Sequence, residues 1–274
     1  MTADSPSGAG QRPDPVIDIT VPHSPRIWNY WLGGKDNYEV DRAVGDQFVE
    51  IYPDIVPIAR HSRGFLSRAV THLAGEVGIR QFLDIGTGLP TLDNTHEVAQ
   101  RAAPDAHIVY VDNDPMVLAH ARALLTSSPQ GATQYIDSDL RDPARIIEQA
   151  SDLLDFDRPV AVILLNILGH VEDTDEAVSI VRSLTGALPT GSYLVTADGT
   201  NVITGEAFEQ AISIWNEVGR PTYHLRSPEQ IAVFHEGLEL LEPGVVSCSR
   251  WRPQKNPFGE PALVDEFCAV GRKP

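Results

Sequence analysis

Positive charge is scarce in this chain: 21 Lys and Arg stand against 38 Asp and Glu among 274 residues, a formal net charge of −17. Phosphate-backbone binding draws its affinity from clustered Lys and Arg, so no nucleic-acid partner is expected. The densest basic stretch, Arg250-Trp251-Arg252-Pro253-Gln254-Lys255, is short and reads as a solvated loop. Cysteine is scarcer still. Cys248 and Cys268 are too few for a disulfide framework and have no metal-ligand spacing. Two buried free thiols, and no metal site, are the expectation. No apolar run approaches the length of a membrane span, and residues 1–10 lack the basic start and apolar middle of a signal peptide. The sequence thus predicts a cytoplasmic protein with no membrane partner. Residues 1–15, rich in Pro, Gly, Ser and Asp, predict a disordered tail.

One further absence is local and more telling. Asp84-Ile85-Gly86-Thr87-Gly88 follows the apolar run Gln81-Phe82-Leu83, and Asp112 closes the next apolar run, His107-Ile108-Val109-Tyr110-Val111. Glycines at a strand end let the backbone turn sharply and approach a ligand. A dinucleotide fingerprint wants a third glycine three places after the second; that place is Thr91, preceded by Pro90. The lost glycine and the acid before the pair lean away from NAD and toward S-adenosylmethionine.

From Gln81 the pattern alternates between β-rich runs, at 81–85, 107–111, 132–136, 159–165 and 192–197, and helical stretches at about 91–103, 115–125, 143–150 and 173–187. Strands apolar on both faces and separated by helices indicate a parallel α/β sheet. A helix at about 204–217 follows, and Ser227-Pro228-Glu229 starts another. The tail offers Leu238–Leu241, Val245–Trp251 and Glu266–Gly271, of which the last two can pair antiparallel. Before Gln81, a helix is predicted over about Asp36–Tyr52 and a second from Pro57 through Ala74, ended by Gly75 and Gly78. The expected plan is an N-terminal helical cap, 16–78, on a Rossmann-like domain, 79–274. Its sheet would have seven strands, parallel with an antiparallel C-terminal pair. That plan is the one of class I methyltransferases.

A methyl donor of this kind presents an amino acid, a ribose and an adenine to the crevice outside the strand ends. Asp84, Gly86, Thr87 and Gly88 are expected against the methionyl part and the sugar. Asp112 and Asn113 are expected at the ribose hydroxyls, Asp139 and Leu140 at the adenine, and Asn166 beneath the sulfonium. Ordinary loop carboxylates are the alternative for Asp84 and Asp112. Asp139-Leu140-Arg141-Asp142-Pro143 also reads as a plain turn with Asp142 as helix cap. The sequence singles out no catalytic base. His170, just past the fourth strand, stands where it can take a proton from an acceptor, though a structural or solvent-facing histidine is the ordinary alternative. Tyr30, Tyr223 and His224 come behind it.

Four segments carry a resemblance: Arg26-Ile27-Trp28-Asn29-Tyr30-Trp31-Leu32-Gly33-Gly34-Lys35-Asp36-Asn37-Tyr38; Arg63-Gly64-Phe65-Leu66; Asp84-Ile85-Gly86-Thr87-Gly88-Leu89-Pro90-Thr91; and Asp139-Leu140-Arg141-Asp142-Pro143. From about Pro22 to its end the chain resembles an actinobacterial family of S-adenosylmethionine-dependent methyltransferases whose substrates are largely undefined. Where that family tends to carry a Leu-His pair, this chain has Leu168-Gly169-His170. The resemblance implies methyl transfer from the sulfonium donor, and an N-terminal block folded over the cofactor mouth. There Gly34 offers an amide and Lys35 a cation to a carboxylate. Arg63 resembles an arginine that holds the donor's carboxylate in bidentate fashion in some carboxyl methyltransferases. A small-molecule acceptor is the leading expectation. A non-catalytic S-adenosylmethionine-binding regulatory protein and an NAD-dependent oxidoreductase are the alternatives. Acceptor and oligomeric state are not written in the chain.

Overall fold

A computed structural model describes residues 17–91, 93–124, 127–255, 257 and 259–274; the tail expected over 1–15 lies outside the described residues. Three helices precede the first strand: α1 (Ser24–Trp31), α2 (Glu39–Ile51) and α3 (Ile55–Thr71). Strands and helices then alternate through β1 (Gln81–Ile85), α4 (Thr95–Ala102), β2 (His107–Asp112), α5 (Pro115–Leu124), β3 (Ala132–Asp137) and α6 (Pro143–Ala150). The series continues with β4 (Ala161–Leu165), α7 (Thr174–Gly186), β5 (Tyr193–Gly199), α8 (Glu206–Val218) and α9 (Pro228–Val233). Three strands close it: β6 (Glu239–Leu240), β7 (Val246–Ser247) and β8 (Glu266–Arg272).

The sheet runs β3-β2-β1-β4-β5-β8-β6, with β7 also paired to β8. The first five strands are parallel and β8 is antiparallel to β5, in register from Tyr193 against Arg272 to Gly199 against Glu266. Alternation of side chains decides the layers. Phe82, Ile108, Tyr110, Ala161 and Ile163 face the layer built by α3 and the cap. Leu83, Val109, Val111, Val162 and Leu164 face α6 and α7. Both faces are covered, which explains why the strands read as unbroken apolar runs. Among the described residues no helix is long and apolar enough to cross a membrane. Cys248 and Cys268 are both buried and free.

Four readings need correction. The sheet has eight strands rather than seven. Pro243 and Gly244, the latter at φ +84°, divide the outer partner of β8 into two-residue pieces. The run expected over Val245–Trp251 stops at Ser247. The Arg68 guanidinium takes the carbonyls of Cys248 (2.6 Å) and Trp251 (2.7 Å), so that backbone leaves the ladder as a 3₁₀ turn. The helix expected from Asp36 begins only at Glu39. Before it, Asn29 Oδ1 accepts the Asp36 amide and the Asn37 side chain, each at 3.0 Å, and so fixes a turn. Finally, the aromatic segment hides a helix. Pro25 sits in the first turn of α1, and Ile27 and Trp31, four apart, bury one face of it. Arg26, 3 % exposed, pairs with the fully buried Asp41 at 3.1 Å and welds α1 to α2.

Candidate functional site

Strand order reverses between β1 and β4, and their carboxyl ends open a crevice at that switch. About 930 Å³ of space free of protein atoms lies within it, the solvent at its mouth included. The strand tips supply its floor and α1 with α3 its roof.

Gly86 makes the turn after β1. Its φ is +74°, and a Cβ there would meet Ile167 Cγ1 at 2.5 Å, so only glycine fits. Beside it, Asp84 Oδ2 accepts the Thr95 hydroxyl at 2.6 Å. Burial pushes the Asp84 carboxyl up to about 6, against the opposing pull of Thr95 and Arg63. Arg63 reaches the cavity from α3. Burial lowers its guanidinium, and the charge of Asp84 is the largest influence opposing that. Among the described residues the Arg63 guanidinium has no hydrogen bond or ion pair. A partly buried fork without a carboxylate partner is an anion site waiting to be used.

Asp112 accepts the Gly88 amide on Oδ2 and the Asp114 amide on Oδ1, each at 2.9 Å. Each oxygen keeps further lone-pair capacity. Burial raises this carboxyl to about 6 as well, the two amides opposing it. Asp114 caps α5 through the Met116 amide at 2.7 Å, and its Oδ2 lies 2.6 Å from His23 Nδ1 at the start of α1. The roof is thereby tied to the floor.

Past β4, Asn166 adopts φ +55°, a left-handed conformation that asparagine tolerates. Its Nδ2 donates to Glu266 (2.9 Å) and Ser62 (3.2 Å), and its Oδ1 accepts the Tyr223 hydroxyl at 3.3 Å. Behind it lie two buried carboxyls, both pushed up by burial: Glu266 to about 7 and Asp198 to about 6. His170 Nδ1 faces the Thr222 carbonyl at 2.7 Å. A carbonyl only accepts, so Nδ1 carries the proton and Nε2 is bare. Burial lowers this imidazole to about 4, which keeps it neutral at pH 7.

The structure thus brings Arg63, Asp84, Gly86, Thr87, Gly88, Asp112, Asn113, Asn166 and His170 around one cavity. It does not bring four others there. Asp139 takes the Asn113 side chain (3.1 Å) and the Arg141 amide (2.8 Å), one on each oxygen, and lies outside the lining while Asp142 caps α6. Leu140, 6 % exposed, packs in the core beneath α6. Gly34 is held in the turn on Asn29, where a Cβ would lie 2.3 Å from Asn29 Nδ2. Lys35 follows it outside the lining. The N-terminal block reaches the cavity instead through α1, with His23, Ser24, Trp28, Asn29 and Leu32. Trp28, Asn29 and Leu32 belong to the block that the resemblance sets over the cofactor mouth, whereas nothing in the sequence singles out His23 and Ser24, just before it. Among the described residues no cluster of His, Cys, Asp and Glu is arranged to hold a metal ion.

Comparison with known proteins gives this geometry a context. The sequence model of a family described as S-adenosyl methyltransferase matches residues 10–274. A DUF574 family protein from Streptomyces avermitilis is 41% identical, with a TM-score of 0.88 over 94% of this chain and 99% of its own. A candidate methyltransferase from Thermobifida fusca is 39% identical, with a TM-score of 0.84 over 93% of this chain and 96% of its own. An O-methyltransferase family protein from Burkholderia thailandensis shares the fold at 17% identity and a TM-score of 0.51, over 76% of this chain and 55% of its own. No curated protein matches the chain.

Proposed function

Since the chain belongs to the S-adenosyl methyltransferase family, we propose that it seats S-adenosylmethionine in the cavity between α1 and the tips of β1, β2 and β4, and methylates a small molecule there. The protein is an S-adenosylmethionine-dependent methyltransferase with a class I fold. The observation that carries the assignment of the cavity is the Arg63 guanidinium, which lines it without a partner among the described residues. The donor's carboxylate is the complementary group. Asp112 would accept the ribose hydroxyls, Gly86 and Gly88 would admit the sugar and methionyl chain, and Asp84 would face the donor's ammonium. The helices of the 16–78 segment act as the roof.

When bound, the sulfonium supplies the methyl group: an acceptor lone pair bonds to its carbon as the carbon–sulfur bond breaks and that pair stays on sulfur. The chain's own residues position the partners and take up the proton. Proximity and orientation supply much of the rate in such displacements. His170 Nε2, bare and at the edge of the cavity, is the proposed proton acceptor. For a hydroxyl or thiol acceptor a base of low basicity suffices, because that atom becomes strongly acidic as it is methylated. His170→Gln is expected to lower kcat by about 100-fold. S-adenosylhomocysteine affinity should stay within about threefold. S-adenosylhomocysteine release with any acceptor that turns over measures the first, and calorimetry the second; an unchanged kcat removes His170 from the chemistry.

Calorimetric titration with S-adenosylmethionine, S-adenosylhomocysteine and NAD tests the donor site, and binding of NAD alone would end this reading. Affinity should also depend on pH. Asp112 accepts ribose hydroxyls best when ionised, and its folded-state carboxyl titrates near 6, with Asp84 and Asp114 close by. The ligand therefore favours the deprotonated form, and affinity is lost as pH falls through 6. Between pH 7.5 and 5 the loss is about tenfold by linkage. Asp112→Asn should weaken binding at pH 7.5 and remove its tenfold share of the profile, leaving the share of Asp84, which also titrates near 6.

A further inference from the structure

Beside the donor cavity lies a second chamber, lined mainly by α1, α2, α3 and α8. We infer that this chamber is the acceptor's binding site, and that it takes a neutral, planar aromatic molecule bearing one protic group. The inference rests on reading the first cavity as the donor's.

The chamber offers about 480 Å³ of space free of protein atoms, the solvent at its mouth included, walled by Trp28, Trp31, Phe48, Phe208, Trp215 and Tyr223. Among the described residues no Asp, Glu, Lys or Arg lines it. An ionised guest would leave water without gaining a counter-charge, at a loss of several kcal/mol. That argues against carboxylates and protonated amines. The rings do not form an open cage for a cation either. Trp31 is tilted on Phe48 at 5.1 Å, and Phe48 meets Phe208 edge-on at 6.4 Å. A flat neutral ring extends such edge and face packing.

Ser24, Trp28, Asn166 and His170 line both compartments, so the passage between them runs from α1 to the end of β4. Polar capacity elsewhere in the chamber is already committed. The Trp31 and Trp215 indoles donate to the Gly45 and Pro221 carbonyls. The Tyr223 hydroxyl accepts the Gly199 amide (2.9 Å) and shares its one proton between Asp198 Oδ1 (3.1 Å) and Asn166 Oδ1 (3.3 Å). Asn166 is held by Ser62, Glu266 and Tyr223. At the passage, the Ser24 hydroxyl and His170 Nε2 have no hydrogen bond to a described residue. A guest that buries its ring in the chamber therefore turns its protic atom toward the passage, and so toward the donor. Placement and orientation come from the same set of side chains.

The test uses the full chain saturated with S-adenosylhomocysteine and follows tryptophan fluorescence, since three indoles wall the chamber. 2-Naphthol should quench it saturably. 2-Naphthoate, 2-naphthylmethylamine and cyclohexanol should each bind at least about tenfold more weakly. Ile212, on α8, lines the chamber but not the donor cavity. Ile212→Trp should plug the chamber and weaken 2-naphthol by about tenfold or more, with S-adenosylhomocysteine affinity within about twofold. Ile212→Phe, a smaller plug, should show an intermediate loss. Equal binding of the charged analogues, no saturable quenching at millimolar 2-naphthol, or indifference to both plugs each overturns the proposal. Failure of S-adenosylhomocysteine itself to bind the unaltered protein is a separate result and removes the donor reading beneath it.

Discussion

Arg63→Ala is expected to weaken S-adenosylhomocysteine binding by about 100-fold, the loss of a charge-assisted hydrogen-bonded pair of about 2–3 kcal/mol. The melting temperature of the ligand-free protein should move by no more than about 2 °C. The two halves of this expectation come from one observation. The guanidinium lines the donor cavity and makes no hydrogen bond or ion pair to a described residue, so truncation breaks no polar contact of the free fold. Arg63→Lys keeps the charge and loses the fork, and should fall between, near tenfold. Titration calorimetry gives the affinities and thermal melts the stability. A large loss of ligand-free stability would make Arg63 a structural residue, and the cavity would lose its anion-binding group.

Gly86→Ala is expected to lower the melting temperature by about 10 °C. The left-handed backbone at φ +74° costs a non-glycine residue about 1–2 kcal/mol. The new methyl carbon would start 2.5 Å from Ile167 Cγ1, and overpacking of this kind costs about 1–3 kcal/mol. Each kcal/mol is worth about 2–4 °C for a domain of this size. Adding Ile167→Ala should restore the steric part but not the backbone part. Thermal melts of the single and double variants separate the two. Ile167 also lines the donor cavity, so the double variant is read for stability alone.

What the sequence disclosed follows from what local pattern encodes. Strands apolar on both faces, glycines at a strand end and an acid at the next strand end are each set by a few neighbouring residues. The five parallel strands, the antiparallel β8 and the convergence of Asp84, Gly86, Gly88 and Asp112 were accordingly legible. Arg63 was legible by resemblance. The failures are tertiary. Asp139 lies outside the cavity lining, beside Asn113, with which it hydrogen-bonds, and that placement depends on where β2 and β3 end in space. Gly34 and Lys35 sit in a turn governed by Asn29, five residues before Gly34. The early end of the outer strand at Ser247 depends on Arg68, about 180 residues away in the chain. The short helix α1 escaped because its aromatic content masked an ordinary buried face. The aromatic chamber had no signature at all, since its walls come from four helices scattered between residues 24 and 218.

Trp28 stands in the wall of both compartments. A guest in either one presses on the same indole, and α1, which carries it, is anchored to α2 through Arg26 and to α5 through His23 and Asp114. If the two guests place that indole differently, binding in one space is coupled to binding in the other. Whatever factor the demethylated donor imposes on affinity in the chamber, a chamber ligand imposes on the demethylated donor, in equal measure.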